Sequence, residues 1–142
     1  GEMGRLVGLP ADQIQSNRLE AALKNAALWN CIILLKGANS IIATPEGEAA
    51  INPTGSVTLA TAGSGDLLTG LVASFIAQGM EAREAAGAGA FIHGLAADLL
   101  PATRGHHARS FLDNYPAAFQ YLNNGRENLA VNPYLKKVKP LV

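Results

Sequence analysis

Cys31-Ile32-Ile33-Leu34-Leu35-Lys36-Gly37-Ala38-Asn39-Ser40 is the stretch on which the fold turns. Five apolar residues in a row, two of them β-branched, read as a short strand buried on both faces, the pattern of a parallel sheet. The run ends in a Lys and a Gly-containing loop. On that reading Lys36 sits at the carboxyl end of a parallel strand, where open α/β sheets take their ligands. Its ammonium could pair with phosphate, with Asn39 and Ser40 as polar neighbours. A strand-terminal Lys in plain solvent is the alternative.

Working outward, Ile41-Ile42-Ala43-Thr44 reads as a second strand, Pro45-Glu46-Gly47 as a turn and Glu48 to Ile51 as a third strand. Upstream, Glu2 to Gly8 forms a short helix stopped by Gly8-Leu9-Pro10. A second helix, capped by Asp12, runs to about Asn30 with Leu19, Ala22, Leu23, Ala26 and Ala27 on one face. Downstream, residues 52 to 65 form a loop. A helix then begins near Ser64 or Gly65, with Leu68, Leu71, Val72, Phe75 and Ile76 as its apolar stripe and Gly79 as its stop. The next helix, from about Glu81 to Leu100, has an unusually small face: Ala85, Ala88, Gly89, Ile92, Ala96 and Leu99. Pro101 ends it, Arg104 to His107 is a loop, and a last helix spans Phe111 to Leu122. Helices, strands and helices in that order predict an α/β domain layered around a sheet. Three strands make a poor sheet in isolation, because open edges attract pairing.

The second chemistry-bearing stretch is Ala60-Thr61-Ala62-Gly63-Ser64-Gly65-Asp66, directly ahead of an amphipathic helix. Gly63 and Gly65 let the backbone turn tightly. At a helix start, the uncovered N–H groups of Ala62, Gly63, Ser64 and Gly65 would form an anion site suited to phosphate. Asp66 falls in the first helical turn, where the dipole favours negative charge. A carboxylate beside a phosphate-binding turn can accept the proton of a hydroxyl about to attack phosphorus. An ordinary capped helix with a first-turn Asp is the alternative. The stretch is neither a Walker P-loop nor a dinucleotide fingerprint, since no Lys-Ser/Thr follows and the third glycine is missing.

Composition narrows the function classes. The 142 residues carry eleven Lys and Arg against eleven Asp and Glu, which gives basic-patch nucleic-acid binding no support. Only 15% of residues are charged, below the quarter or so usual in soluble domains, so part of the surface is expected to be covered. No apolar run approaches the roughly 20 residues of a membrane helix. The single Cys31 excludes an internal disulfide and fits a reducing compartment, the cytoplasm. Cys31 itself is expected as inert packing at the start of a buried strand. His93 is expected as a satisfied interior histidine, and His106-His107, without a partner at ligand spacing, argues against zinc. The Asn-, Lys- and Pro-rich residues 124–142 are expected to be an exposed tail.

Together these motifs resemble a known family. Leu34 to Ala43, Asn52-Pro53-Thr54-Gly55, Leu59 to Asp66 and Ile92-His93-Gly94-Leu95-Ala96, in that order, are similar to the ADP/ATP-dependent NAD(P)HX dehydratases of the ribokinase-like superfamily. The resemblance runs from Gly1 to about Leu122. Sugar kinases of the superfamily usually carry Asp-Thr-x-Gly-Ala-Gly-Asp at the second motif. Ala60 in place of the first Asp favours the dehydratase branch. One departure is Ser56-Val57-Thr58 where the family often continues with Asn-Pro-Gly. Another is that Thr-Pro-His-Pro-Gly-Glu-Met is represented only by Gly1-Glu2-Met3.

The resemblance implies a ribokinase-like three-layer α/β/α fold of which residues 1–123 would be the C-terminal half, with an incomplete sheet. It implies ADP or ATP with Mg²⁺ as co-substrate, and hydrated NADH or NADPH as substrate. Lys36, Gly37, Ala38, Asn39, Ser40 and Gly65 would bind the nucleotide. Asp66 would be the catalytic base and contact the hydrated cofactor. An N-terminal half, from the same gene product or a partner chain, and a homo-oligomer are the implied partners; no nucleic acid or membrane is expected. A kinase of a small hydroxylated molecule and a non-catalytic nucleotide-binding module are the competing functions.

Overall fold

The computed structural model describes residues 1–101 and 105–124. They fall into two compact units, Gly1–Asn52 and Pro53–Val142, the second of which contains the residues outside that description. The tail from 125 onward and the start of the loop at Arg104 lie outside the described residues.

The first unit is built from α1 (Glu2–Val7), α2 (Ala11–Ser16), α3 (Arg18–Trp29), β1 (Ile33–Leu35), β2 (Ile41–Ala43) and β3 (Ala49–Ile51). The three strands form an antiparallel meander in the order β1-β2-β3, not a parallel sheet. Leu34 lies opposite Ile42, and Ile42 opposite Ala50. The reason is connection length. Five residues join β1 to β2 and five join β2 to β3, whereas a parallel pair needs a crossover of a dozen or more. β1 is accordingly only half-buried, and Cys31 lies ahead of it, exposed rather than packed.

Side chains alternate across a strand, so Ile33 and Leu35 share a face with their partners Ala43 and Ile41. That face takes α3, whose Ala22 and Ala26, four residues apart and fully buried, let the helix lie close to the sheet. The expected single helix from Asp12 to Asn30 is broken at Asn17 (φ −143°, ψ 57°). There Ser16 Oγ bonds back to the Gln13 carbonyl and the Asn17 amide turns to Glu20, local bonds that compete with a helical backbone. Asp12 lies in the first turn of α2, and Pro10 is the N-cap residue. Leu19 and Ala27 are exposed, so the buried face of α3 centres on Ala22, Asn25 and Ala26.

The second unit is a three-helix arrangement: α4 (Ser64–Ala77), α5 (Ala82–Asp98) and α6 (Ala108–Asn123), preceded by a 3₁₀ turn at Val57–Leu59. Ile92, Leu95, Ala96, Tyr115 and Ala118 form its core, with Leu67, Leu71 and Phe75 packed against them. The small face of α5 has the expected use. A Cβ on Gly89 would come within 2.5 Å of Val72 Cγ2, so its absence lets α4 approach. From Ile92 to Ala97, however, every residue of α5 is buried, and the helix is enclosed all round rather than on one face. On α4, Leu68 is buried while Ile76 is exposed. His107 starts α6 by a reciprocal cap, its Nδ1 accepting from the Ser110 N–H at 3.3 Å.

His93 is an interior histidine, as expected, with Nδ1 2.8 Å from the Tyr115 hydroxyl. Burial pushes the Tyr115 phenol up to about 12. An unfolded phenol titrates near 10, so the folded state holds this proton more tightly. The corresponding stability is complete below pH 10 and is lost as the pH rises through about 12, by roughly 2–3 kcal/mol at most. Urea midpoints between pH 9 and 12 are expected to fall more steeply for the native protein than for Tyr115→Phe; parallel profiles would exclude the phenol as the cause.

Candidate functional site

In the second unit, the turn ahead of α4 is tied together from within. Ser64 Oγ donates to the Leu59 carbonyl at 2.8 Å, and Thr61 Oγ1 to the Thr58 carbonyl at 2.8 Å. Gly63, at φ 82°, occupies the left-handed region and is the N-cap residue of α4. The first backbone bonds inside the turn run from Ser64 N–H to Thr61 and from Leu67 N–H to Gly63. Among the described residues, the N–H groups of Ala62, Gly63, Gly65 and Asp66 have no acceptor. Ser64 departs from the expectation, because its own N–H is spent on Thr61. Asp66 is exposed in the first turn of α4. Open donors and a carboxylate therefore stand on one helix start, an arrangement that can hold an anion and accept a proton beside it.

The Asn52-Pro53-Thr54-Gly55 stretch leads into this turn and is clamped by α5. Thr54 Oγ1 donates to the Phe91 carbonyl at 2.9 Å, and the Gly55 N–H donates to Asp98 Oδ2 at 2.9 Å. Between them Gly94 gives the backbone room, since a Cβ there would stand 2.6 Å from the Thr54 carbonyl carbon. Phe91, Gly94 and Asp98 follow the i, i+3, i+7 spacing of one helix face. Burial raises the Asp98 carboxyl above the ordinary carboxylate range, and the Gly55 N–H pulls part of that back. Ser56-Val57-Thr58 enters the 3₁₀ turn, with Ser56 Oγ and Thr58 Oγ1 2.6 Å apart.

In the first unit, Lys36 to Ser40 connects β1 to β2. Lys36, Gly37, Ala38 and Asn39 are exposed, and Ser40 is half-buried. Asn39 takes the left-handed conformation (φ 53°), which Asn tolerates better than most residues. Ser40 Oγ accepts from the Gly37 N–H at 3.3 Å and lies 3.2 Å from the Gly37 carbonyl. Arg18, at the start of α3, donates to the carbonyls of Leu35 and Ala38. Lys36 thus ends an antiparallel strand inside a short hairpin connection, not a parallel strand at a sheet's ligand edge.

Sequence reasoning missed Arg18 and Asp98. The i, i+3, i+7 spacing of Phe91, Gly94 and Asp98 was available as a signal, but which loop that face meets was not. Arg18 carries no local signal beyond following the helix-breaking Asn17. Among the described residues, no group of three His, Cys, Asp or Glu is gathered to hold a metal ion. None of the described helices is long and apolar enough to cross a membrane.

A family model described as NAD(P)H-hydrate dehydratase matches residues 1–115. The chain belongs to the NAD(P)H-hydrate dehydratase family. It is 45% identical over 132 residues to the bifunctional NAD(P)H-hydrate repair enzyme Nnr of Moorella thermoacetica, covering 91% of this chain and 25% of that protein. To the ADP-dependent (S)-NAD(P)H-hydrate dehydratase of Neisseria meningitidis it is 39% identical over 123 residues, or 87% of this chain and 42% of that one. The crystal structure of the Bacillus subtilis ADP/ATP-dependent NAD(P)H-hydrate dehydratase, co-crystallised with ATP/Mg²⁺ and soaked with CoA, superposes with a TM-score of 0.81 at 31% identity. That likeness covers 85% of this chain and 46% of the Bacillus chain, and carries the expected ribokinase-like α/β fold class. The family member described here spans less than half the length of each of these three relatives.

Proposed function

We propose that this chain carries nucleotide- and substrate-handling residues of an ADP- or ATP-dependent dehydratase acting on hydrated NADH or NADPH. The observation that carries the proposal is the start of α4, where open N–H groups at Ala62, Gly63, Gly65 and Asp66 stand beside the exposed Asp66 carboxylate. The chemistry has two steps. Hydroxide leaves the nicotinamide ring poorly, whereas a phosphate ester leaves readily, pushed by the ring nitrogen's lone pair. Asp66 would accept the proton of the ring hydroxyl as its oxygen attacks the terminal phosphorus. The backbone N–H groups would hold the charge that grows on the transferring phosphoryl group. Loss of phosphate and of a ring proton then restores the reduced nicotinamide.

Lys36, Gly37, Ala38, Asn39 and Ser40, together with Gly65, are the proposed nucleotide-binding residues. The exposed Lys36 ammonium and the exposed loop backbone support that assignment. Mg²⁺ typically keeps several waters and is held by substrate phosphates plus one or two carboxylates. Exposed at an anion-holding turn, Asp66 is the carboxylate that fits such a nucleotide-borne ion; the ion would supply charge neutralisation on the phosphates. Because the match covers less than half of each of these relatives, we also propose that turnover needs the remaining part of the family's domain, as one polypeptide or as a partner. A homo-oligomer in the cytoplasm completes the reading, supported by the exposed Leu6 and Leu28 and the lone thiol of Cys31.

The test is recovery of absorbance in the NADH band from hydrated NADH, with ADP or ATP, using protein purified from its own source with every polypeptide that accompanies it. Recovery matched by free phosphate is the expected result. A stable phosphorylated product would instead identify a kinase of a hydroxylated small molecule. Nucleotide binding without turnover would identify a binding module.

A further inference from the structure

Arg18 opens α3, yet its guanidinium is spent on the loop that follows β1. Nη1 donates to the Ala38 carbonyl and Nη2 to the Leu35 carbonyl, the latter at 3.1 Å. The planar fork lies against Gly37. A Cβ there would come within 2.8 Å of Nη2 and 3.0 Å of Cζ and would push the guanidinium aside, and Gly37 has φ 151°, a conformation that favours glycine. The other ties within the loop are the two long bonds between Ser40 Oγ and Gly37.

Anchoring those two carbonyls has a geometric consequence. In a trans peptide the C=O and N–H point to opposite sides, and the structure contains no cis bond among the described residues. With the Leu35 and Ala38 carbonyls drawn toward Arg18, the N–H groups of Lys36 and Asn39 are turned away from it. Neither has an acceptor among the described residues. No carboxylate among the described residues pairs with Arg18 either, so its charge adds to that of Lys36.

We propose that Arg18 is the positioning residue of the nucleotide loop. By bridging the carbonyls of Leu35 and Ala38 it presents the Lys36 and Asn39 N–H groups, beside the Lys36 ammonium, to a nucleoside diphosphate. The inference rests on the assignment of Lys36–Ser40 as nucleotide-binding. It requires a planar fork and not charge alone, because an ammonium is a point donor that cannot span two carbonyls in one plane.

Calorimetric titration of ADP into the full chain, native and Arg18→Lys, tests it, with thermal midpoints measured on the same samples. Arg18→Lys is expected to keep its midpoint near the native value and to weaken ADP about tenfold to a hundredfold, the effect of losing one charge-assisted hydrogen bond. Equal ADP affinity in the two proteins would overturn the role of Arg18 and leave the loop assignment standing. A native chain that does not bind ADP would overturn the loop assignment, and this proposal with it. Should Arg18→Lys fail to fold, Gly37→Ala serves instead. Its methyl would displace the guanidinium, and it is expected to weaken ADP to a similar extent, with unchanged affinity again overturning the proposal.

Discussion

Asp66→Asn is expected to lower turnover by roughly 10²- to 10⁴-fold, the usual worth of a positioned proton acceptor. The substitution keeps the size of the side chain and its place in the first turn of α4 but removes the basic oxygen pair. The Asp66 side chain is exposed and makes no hydrogen bond with the described residues, so the fold is little disturbed. Loss of a negative charge from a helix start costs about 0.3–1 kcal/mol. Without Mg²⁺, ADP affinity is expected to stay within about threefold, because the backbone N–H groups proposed to hold phosphate are retained. Single-turnover measurements with hydrated NADH, set beside ADP calorimetry, separate the two effects. Full activity in Asp66→Asn would remove the carboxylate from the mechanism; loss of ADP binding with turnover would make it a binding residue.

Gly94→Ala is expected to be the most damaging small substitution in α5. Its Cβ would stand 2.2 Å from Thr54 Oγ1, 2.6 Å from the Thr54 carbonyl carbon and 2.7 Å from its oxygen. A hydroxyl can rotate away, but a backbone carbonyl moves only with its chain. The Thr54 bond to Phe91 and the Gly55 bond to Asp98 therefore cannot both survive the shift. Overpacking of this kind costs about 3 kcal/mol, or roughly 10 °C in thermal midpoint for a chain of this size. Turnover is expected to fall in the folded fraction as well, since the same loop runs on into the turn that carries Asp66. Gly70→Ala is the control. Nothing lies within 4 Å of a Cβ at Gly70, which is exposed within α4, and Ala there is expected to gain about 0.5–1 kcal/mol. A Gly94→Ala protein as stable as Gly70→Ala would contradict the clamp.

Much of the local structure was legible from residue order. Each helix of the second unit begins and ends within a few residues of where periodicity, Gly79 and Pro101 place it. The same holds for the three short strands. The break at Asn17 is hidden because the apolar spacing continues across it, whereas the side-chain bonds of Ser16 and Asn17 end the helix locally. At Cys31 to Leu35 the structure has an antiparallel strand where the apolar run predicts a parallel one. An apolar run alone does not distinguish a strand covered on both faces from one half-covered in a hairpin; the five-residue connection was the better signal.

By itself the sequence determined where the helices of the second unit start and stop, and the Gly63-Ser64-Gly65-Asp66 helix start among them. These features depend on neighbours within about one turn of chain, where propensity, capping and dipole act. Only the tertiary structure decided that Arg18 braces Lys36 to Ser40, that Asp98 holds Gly55, and that Gly94 admits Thr54. Each of these pairs residues 17 to 43 positions apart. Such contacts follow from which helix face packs against which loop, and packing is settled by the burial of whole elements rather than by any local pattern.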